Sequence, residues 1–346
     1  LVIPNSIKII GSYAFRGCTL GKLTINNKNS VLEIIGEGAF QNTAVSGNIV
    51  MPSSLRVIDN NAFENCRNLG SISFGFSGTP SEYNSLIIGS NAFSRSSISG
   101  NLIIPSNTIL ILDSAFEGCN QLTSLSFEDN GNRIKLIICD NAFKDCALTK
   151  ELLLPYQLVN SLSTFNANSY LSKNFNNFDN YFYQIFNGLY DGTDYKEFGN
   201  IYERKFELQD DMKFSVGECA FSNCGSIERV HIKRGIFGKN VFQNCRNVKE
   251  LKMEGGTLGE QNFIGCRNFN TITLYDSAII GPNAFSNFQE NSFTLKINSG
   301  NNVQFLERAF YNSTIYGPLI LYPYTLKIGS EAFAECKYLN GSLSMS

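Results

Sequence analysis

The sequence predicts an α/β solenoid of stacked repeats, in which every unit adds one short strand to a parallel sheet. Two observations in the 346-residue chain lead to this prediction. A phenylalanine, usually preceded by alanine, recurs at short and similar intervals along the chain, apart from one long gap between Phe143 and Phe221. Short stretches of alternating apolar and polar residues follow these phenylalanines. A unit this short cannot bury its own apolar face, so it must stack on its neighbours.

Twelve phenylalanines set the register of the repeat. They are Phe15, Phe40, Phe63, Phe93, Phe116, Phe143, Phe221, Phe242, Phe263, Phe285, Phe310 and Phe333. The residue five positions earlier is large and apolar in every unit. The residue three positions later is cysteine in eight units, serine or threonine in three, and Phe288 in one. Such rows predict side chains that stack as ladders inside the solenoid.

Each unit also contains a stretch such as Leu122-x-x-Leu125-x-Phe127, in which buried and exposed positions alternate. Alternation with a period of two over a few residues is typical of a short, half-buried strand. The remainder of the unit has room for two turns and a tight helical or extended return. Short strands and short helical turns are therefore expected.

The long gap between Phe143 and Phe221 allows two interpretations of residues 156–211. Phe175 and Phe198 divide the gap into intervals of 32, 23 and 23 residues, two of which match the usual spacing, and this favours two degenerate repeats plus a loop. Residues 1–346 then form a single solenoid of about fourteen units. The alternative is an independent insertion rich in Asn, Tyr and Phe.

Composition argues against several classes of partner. A formal net charge of −2 and a pI near 5.7 do not supply the concentrated basic surface that binds nucleic acid or an anionic membrane. No apolar run approaches the roughly 20 residues that span a bilayer, so we expect no membrane insertion within the chain. Because the chain starts at Leu1 without an initiator methionine, we expect a piece of a longer protein, whose targeting signals lie elsewhere.

The sequence offers no catalytic residues, no cofactor site and no metal site, and an enzyme is not expected. No Gly-rich loop that could hold a phosphate is present. The cysteines of the repeat lie a whole unit apart, and neither a CxxC pair nor a histidine pair accompanies them, so zinc is not expected. The only histidine, His231, lies between Val230 and Ile232 in a predicted strand and is expected to point outward.

The ten cysteines allow two interpretations. Eight share one register, with serine or threonine as replacements, which favours a buried row of free thiols. Disulfides between adjacent rungs are the alternative, most plausibly among Cys224, Cys245 and Cys266, because neighbouring rungs lie about 4.8 Å apart. In the close pairs Cys139 and Cys146, and Cys219 and Cys224, we expect one core residue and one turn residue.

The repeated string Ile-Pro-x-Ser-x-x-x-Ile-Gly-x-x-Ala-Phe-x-x-Cys-x-x-Leu-x-x-Leu-x-Ile resembles the BspA-like, treponemal-type leucine-rich repeat. Residues 3–18 match its first half and residues 119–127 its second half. The resemblance covers the chain outside roughly residues 156–211. It implies a right-handed superhelix with a parallel sheet on its concave face. It also implies a cell-surface or secreted, adhesin-like virulence protein that binds host extracellular-matrix proteins or other cells.

In a solenoid, binding usually uses the exposed strand positions. In the first six units these are alternately polar and apolar, with the apolar members in units that end in proline, so the repeat has a period of two units. The predicted protein-binding positions on the concave face are Thr24, Val50, Ser73, Ile103, Ser126 and Leu153. Recurrent exposed apolar side chains indicate a protein partner, unless the strands are covered and these residues simply pack.

Two further binding candidates are present in the sequence. Arg229, His231 and Lys252 belong to a mixed-charge patch that also contains Lys233, Glu250 and Glu254. The aromatic segment 156–211 is the other. Against all of these stands a rival hypothesis, in which the repeats are a structural spacer that presents another domain and has no ligand of its own.

Overall fold

The computed structural model describes residues 1–76, 78, 85–128, 136–155, 215–275, 277–298, 302–321, 325, 327–340 and 344–345. These residues contain twenty-three strands, numbered here in chain order. They form stacked coils, and each coil has three sides. A strand on one side, called face A, is followed by a strand on a second side, called face B, and then by a turn around the repeated phenylalanine, called the Phe turn.

Parallel pairing between successive coils builds both faces. The strands of face A are β1 Val2–Ile3, β3 Thr24–Ile25, β5 Ser46–Met51, β7 Asn68–Phe74, β9 Gly100–Ile104, β11 Leu122–Phe127, β13 Thr149–Leu154, β14 Ser226–Ile232, β15 Glu250–Met253, β17 Thr271–Leu274, β19 Thr294–Ile297, β21 Ile320–Leu321 and β23 Ser344–Met345. Those of face B are β2 Ile9–Ile10, β4 Ile34–Ile35, β6 Val57–Ile58, β8 Leu86–Ile88, β10 Thr108–Ile111, β12 Ile137–Ile138, β16 Gly256–Thr257, β18 Ala278–Ile280, β20 Gln304–Phe305 and β22 Lys327–Ile328. Between β12 and β16, Val216 bridges Ile138 and Phe237 and continues the row.

The chain is therefore a parallel-sheet β-solenoid, and the expected short helical turns are absent from the described residues. The return of each coil is extended, because it forms the second strand on face B. The Phe turn is not helical either, since its amide groups bond to the next coil. In one turn the N–H groups of Asn61, Phe63 and Asn65 donate to the carbonyls of Ser90, Ala92 and Ser94 at 2.7 to 2.9 Å.

Two left-handed residues in every Phe turn explain why no helix forms there. The residues two positions before and two positions after the phenylalanine have φ between 52° and 76° in all twelve coils. Fifteen of these twenty-four residues are asparagine or glycine, the types that adopt this conformation at least cost. A right-handed helix cannot pass through such positions, so the sequence at each turn enforces a tight bend.

The repeated phenylalanines form one unbroken stack through the interior. Ring centroids of successive phenylalanines lie 4.9 to 5.8 Å apart with interplanar angles of at most 12°. Most of these rings are fully buried, and they share one core with the inward-pointing residues of both faces. The predicted interior ladder is confirmed.

Residues 156–211 lie outside the described residues, but the coils on either side of them bear on their two interpretations. Phe143 stacks directly on Phe221 at 5.4 Å, and Ile138 is bridged to Val216. The coil that begins with β13 thus continues at Val216, and residues 156–214 fall inside that single coil. No degenerate coil separates Phe143 from Phe221 in the described stack, which favours the insertion over two extra units. The division of the whole chain into repeats and insertion stays a prediction.

Face A shows the predicted period of two units. Its first strands pair as β1 with β3, β5 with β7 and β9 with β11, whereas β13, β14, β15, β17 and β19 form a continuous sheet. The proline-ending units carry a left-handed residue three positions before their exposed apolar residue, at Gly47, Gly100, Lys150 and Gly317. In the three pairs that join β5 to β7, β9 to β11 and β13 to β14, the register shifts near the start of the strands.

We expect Gly89→Ala to destabilise the solenoid by about 1–3 kcal/mol, the usual cost of overpacking. Gly89 follows β8, where coils approach so closely that an added Cβ meets the Asn60 nitrogen and the Asp59 carbonyl carbon at 2.6 Å. Urea unfolding followed by circular dichroism measures the loss. Gly11→Ala is the matched control, because the same position in the first coil has nothing within 4 Å. Equal losses at both sites would contradict the close-approach argument.

Candidate binding surface

Face A places all of the predicted positions except Arg229 in one line across its strands; Arg229 lies two residues before His231 and pairs with Glu151 instead. Alternation within each strand buries every second residue: Ile49 and Met51 are in the core, while Val50 between them faces solvent. Pairing then aligns the solvent-facing residues of neighbouring strands, for example Val50 with Ser73 and Ile103 with Ser126. We call this line the outer row of face A, and it consists of Val2, Thr24, Val50, Ser73, Ile103, Ser126, Leu153, His231, Lys252, Thr273 and Lys296.

The aliphatic members of this row are exposed. The exposed fraction is 42% for Val50, 48% for Ile103, 42% for Leu153 and 65% for Val2. Ile320, in a later proline-ending unit, is 42% exposed. The interpretation in which these residues pack under a cover is therefore wrong. Strands lie about 4.8 Å apart, so the aliphatic side chains project at intervals of roughly 10 Å.

Small hydroxyl side chains separate the aliphatic ones. Thr24 and Ser73 are exposed and Ser126 is half-buried. The first half of the outer row therefore alternates between apolar projections and shallow polar gaps. Such a surface differs from the scattered single apolar residues of ordinary protein surfaces, which carry no information about binding.

The second half of the row is cationic, but its charges are largely compensated. Glu254 Oε1 accepts a hydrogen bond from Lys252 Nζ at 2.7 Å and lies 2.9 Å from His231 Nε2. The hydrogen bond from Lys252, followed by the contact with His231, lowers the pKa of Glu254. The same hydrogen bond to Glu254 raises the pKa of Lys252. Arg229 is exposed and lies 4.0 Å from Glu151. Arg229, His231 and Lys252 therefore each lie beside a carboxylate.

The cysteine row is built of thiols rather than disulfides. All ten cysteines are free. In seven coils the Sγ donates to the carbonyl oxygen of the phenylalanine in the preceding coil at 3.0 to 3.3 Å: Cys66, Cys119, Cys146, Cys224, Cys245, Cys266 and Cys336. Cys18, in the first coil, is exposed and Cys336 is half-buried. Each buried thiol of the row therefore ties two coils together.

The close cysteine pairs differ from each other. Cys219 is a left-handed turn residue and Cys224 is in the core, as expected. Cys146 belongs to the core around the phenylalanine stack, whereas Cys139 is buried outside that core, at the turn that follows β12. Cys139 follows face B at a position that is glycine in most coils, where the close approach of neighbouring coils encloses the thiol.

No chemical centre emerges from the part of the chain that the structure describes. Within those ranges, no group of three or more His, Cys, Asp or Glu side chains is arranged to hold a metal ion. His231 contacts Glu254 and stands beside Leu153 and Lys252 in its row. Among the same residues no helix has the length and hydrophobicity to cross a membrane.

Sequence reasoning missed one regular feature of the surface. The left-handed residues after the phenylalanines form side-chain ladders on the outside of the Phe turn. Asn65 Nδ2 donates to Asn42 Oδ1 at 2.7 Å, and Asn244 Nδ2 donates to Asn223 Oδ1 at 3.0 Å. The signal was present as a column two residues after the phenylalanines, in which nine of the twelve residues are asparagine or glycine. These amides satisfy one another and add rigidity to the scaffold.

Comparison with known proteins identifies the repeat. A family described as BspA type leucine rich repeat region, in six copies, matches residues 1–86, 86–199, 194–290 and 235–344. No curated protein matches the chain. The chain is similar to the structure of a leucine-rich repeat protein from Bacteroides ovatus, with 16% identity, a TM-score of 0.47, and coverage of 98% of this chain and 73% of that one.

Two other solved structures are similar at the same level. One is a leucine rich cell surface protein from Faecalibacterium prausnitzii, with 17% identity, a TM-score of 0.33, and coverage of 98% of this chain and 70% of that one. The other is the pneumococcal vaccine antigen PcpA, with 18% identity, a TM-score of 0.37, and coverage of 93% of this chain and 73% of that one. Similarities of this size say nothing about the ligand of the chain.

Proposed function

Since the chain belongs to the BspA-type leucine-rich repeat family, we propose that it is a protein-binding module that recognises its partner through the outer row of face A. The observation that carries this proposal is the set of exposed aliphatic side chains at Val50, Ile103 and Leu153. Fully burying such a side chain stabilises a complex by about 1.5–3 kcal/mol. A partner that buries the exposed half of each side chain therefore gains roughly 1 kcal/mol of binding free energy per side chain.

The partner class is proposed from the family resemblance. It comprises host extracellular-matrix or cell-surface proteins, bound by an adhesin-like module located at the cell surface or secreted. A rigid, extended surface supports this role, because the interlocking ladders of phenylalanine and cysteine hold the row in place before a partner arrives. Preorganisation of this kind reduces the entropic cost of association.

The triple variant Val50→Asp, Ile103→Asp and Leu153→Asp is expected to lose partner binding by about 100-fold or more, because it removes three apolar contacts and places three charges that a partner must desolvate. The measurement is capture of matrix and plasma proteins on the immobilised full chain, followed by titration of the captured protein. The fold is expected to survive, since exposed substitutions usually change stability by about 0.5 kcal/mol or less.

A matched control separates loss of apolar contact from added charge. Thr24→Asp, Ser73→Asp and Ser126→Asp add the same charge in the same row but leave the aliphatic side chains in place. We expect this control to bind more weakly than the parent chain but clearly more tightly than the aliphatic triple variant, because both variants carry the charges and only the control keeps the apolar contacts. If the aliphatic triple variant captures every protein as well as the parent chain does, the outer row is not the binding surface, and the structural-spacer hypothesis gains support.

A further inference from the structure

The outward-facing positions of face B differ between the two halves of the solenoid. From the second to the sixth coil they hold aliphatic residues that are at most 3% exposed: Ile34, Val57, Ile87, Leu110 and Ile137. In the later coils the same position holds Ile236, Thr257, Ile279, Gln304 and Lys327, none of which is buried. We call the first set the outer row of face B.

These five residues do not belong to the interior of the coils. The residue that follows each of them, for example Ile35 after Ile34, is part of the core around the phenylalanine stack, whereas the five are not. Successive residues of a strand point to opposite sides. A residue on the outside of a sheet reaches such low exposure only when another layer covers it. Ser106 and Thr108, at the corner between faces A and B, are also fully buried.

The chain has three long connections that start at this corner. They join β7 to β8, β11 to β12, and β13 to Val216. The first two are short and mostly polar, and their few large apolar residues include Phe76, Tyr83 and Ile134. The third includes residues 156–214, with seven tyrosines and eight phenylalanines. Only the third has enough apolar side chains to cover an aliphatic row.

Residues 156–214 are also long enough to extend along the whole row. The row runs over five coils, about 19 Å from Ile34 to Ile137 at about 4.8 Å per coil. Residues 156–214 start after Pro155, which is buried, and end before Ser215, which is 1% exposed. Both ends are therefore fixed one coil beyond Ile137.

We propose that the outer row of face B is the docking surface for residues 156–214 of the same chain. Aromatic side chains of this segment provide the apolar layer over the row. Further along face B, Thr257, Gln304 and Lys327 are among the equivalent residues and none of the set is buried, so no such layer is needed there. The outer row of face A, on a different side of the coil, stays available for a partner.

Photo-cross-linking in the full chain identifies the occupant. Leu110 is replaced by p-benzoylphenylalanine, the protein is irradiated at low concentration, and the cross-linked peptides are sequenced by mass spectrometry. We expect cross-links to peptides within residues 156–214. The same replacement at Gln304, the equivalent position of a later coil, should give none there. Cross-links from position 110 to only the two short connections, other coils or a second copy would overturn the proposal.

Limited chymotrypsin digestion provides an independent readout, because the segment is rich in Tyr and Phe. Leu110→Asp should increase the cleavage rate within residues 156–214 at least tenfold, and Gln304→Asp should leave it unchanged. Slow reaction of the buried thiols verifies that the stack is intact. Equal cleavage in both variants with protected thiols contradicts the proposal. Should Leu110→Asp expose the thiols, the milder Leu110→Ala variant is digested instead, with the same two outcomes.

Discussion

Phe116→Ala is expected to lower the free energy of unfolding by about 3–5 kcal/mol, the range for removing a large buried ring. The Phe116 ring is fully buried. It stacks between Phe93 at 5.1 Å and Phe143 at 5.0 Å. Each aromatic pair adds about 0.5–1.5 kcal/mol beyond area burial. Urea unfolding followed by far-ultraviolet circular dichroism measures the loss.

Phe15→Ala is the matched control, since it removes the same ring from the same register. Phe15 is half-buried and has a single stacking neighbour among the described residues, Phe40 at 5.2 Å. In a repeat protein, stability is approximately a sum of unit and nearest-neighbour terms. The central substitution disturbs two interfaces and the terminal one disturbs one. Equal losses at Phe15 and Phe116 would show that the stack is not what couples the coils.

The register of the fold could be predicted from sequence because its ladders require one residue type at one position. An in-register stack places Phe40 directly on Phe63, so any other side chain leaves a void or a clash. The same constraint makes the cysteine row visible, with Thr43 and Ser313 as replacements that retain a hydrogen bond to a phenylalanine carbonyl. The BspA-type repeat is therefore recognisable from the sequence alone.

The predicted helical turns were not confirmed, for a local reason. Apolar positions at Ile58, Ala62 and Phe63 are compatible with a helical spacing. Asn61 and Asn65 prevent a helix here, because both adopt left-handed φ values of 58°. Periodicity reports which residues are buried. It does not report whether backbone bonds run within a turn or to the next coil.

The outward-facing rows show where sequence reasoning stops. Val50 on face A and Ile87 on face B both point away from the coil interior, and both are aliphatic. Val50 is 42% exposed, whereas Ile87 is fully buried. Alternation gives the direction of a side chain but not what lies beyond it. The candidate site on face A was therefore predictable by position, and its exposure was not.

Raising the pH from 9 toward 11 is expected to destabilise the protein sharply through its buried thiols. Burial raises the pKa of Cys66 from 9.0 to about 11 and that of Cys224 to about 12, and it also raises the pKa of Cys245 and Cys266. Below pH 9 both folded and unfolded thiols are protonated, so this stabilisation is fully present. Above pH 9 the thiols of the unfolded chain lose their protons before those of the folded protein do. Each such thiol then lowers the free energy of unfolding by about 1 kcal/mol per pH unit. Urea titrations across this range measure the decline.

Replacing Cys224, Cys245 and Cys266 by serine isolates the thiol contribution from that of lysine and tyrosine, which also titrate in this range. Serine suits the row, because Ser313 occupies it and its hydroxyl donates to the Phe285 carbonyl. The parent chain should lose stability with pH more steeply than the variant, by up to about 1 kcal/mol per pH unit for each thiol removed. If the stability of the parent chain and of the variant declined equally with pH, the thiols would be accessible to water in the folded state. A steeper parent curve means that the row stays sealed along the solenoid, which is the rigidity that an extended binding surface requires.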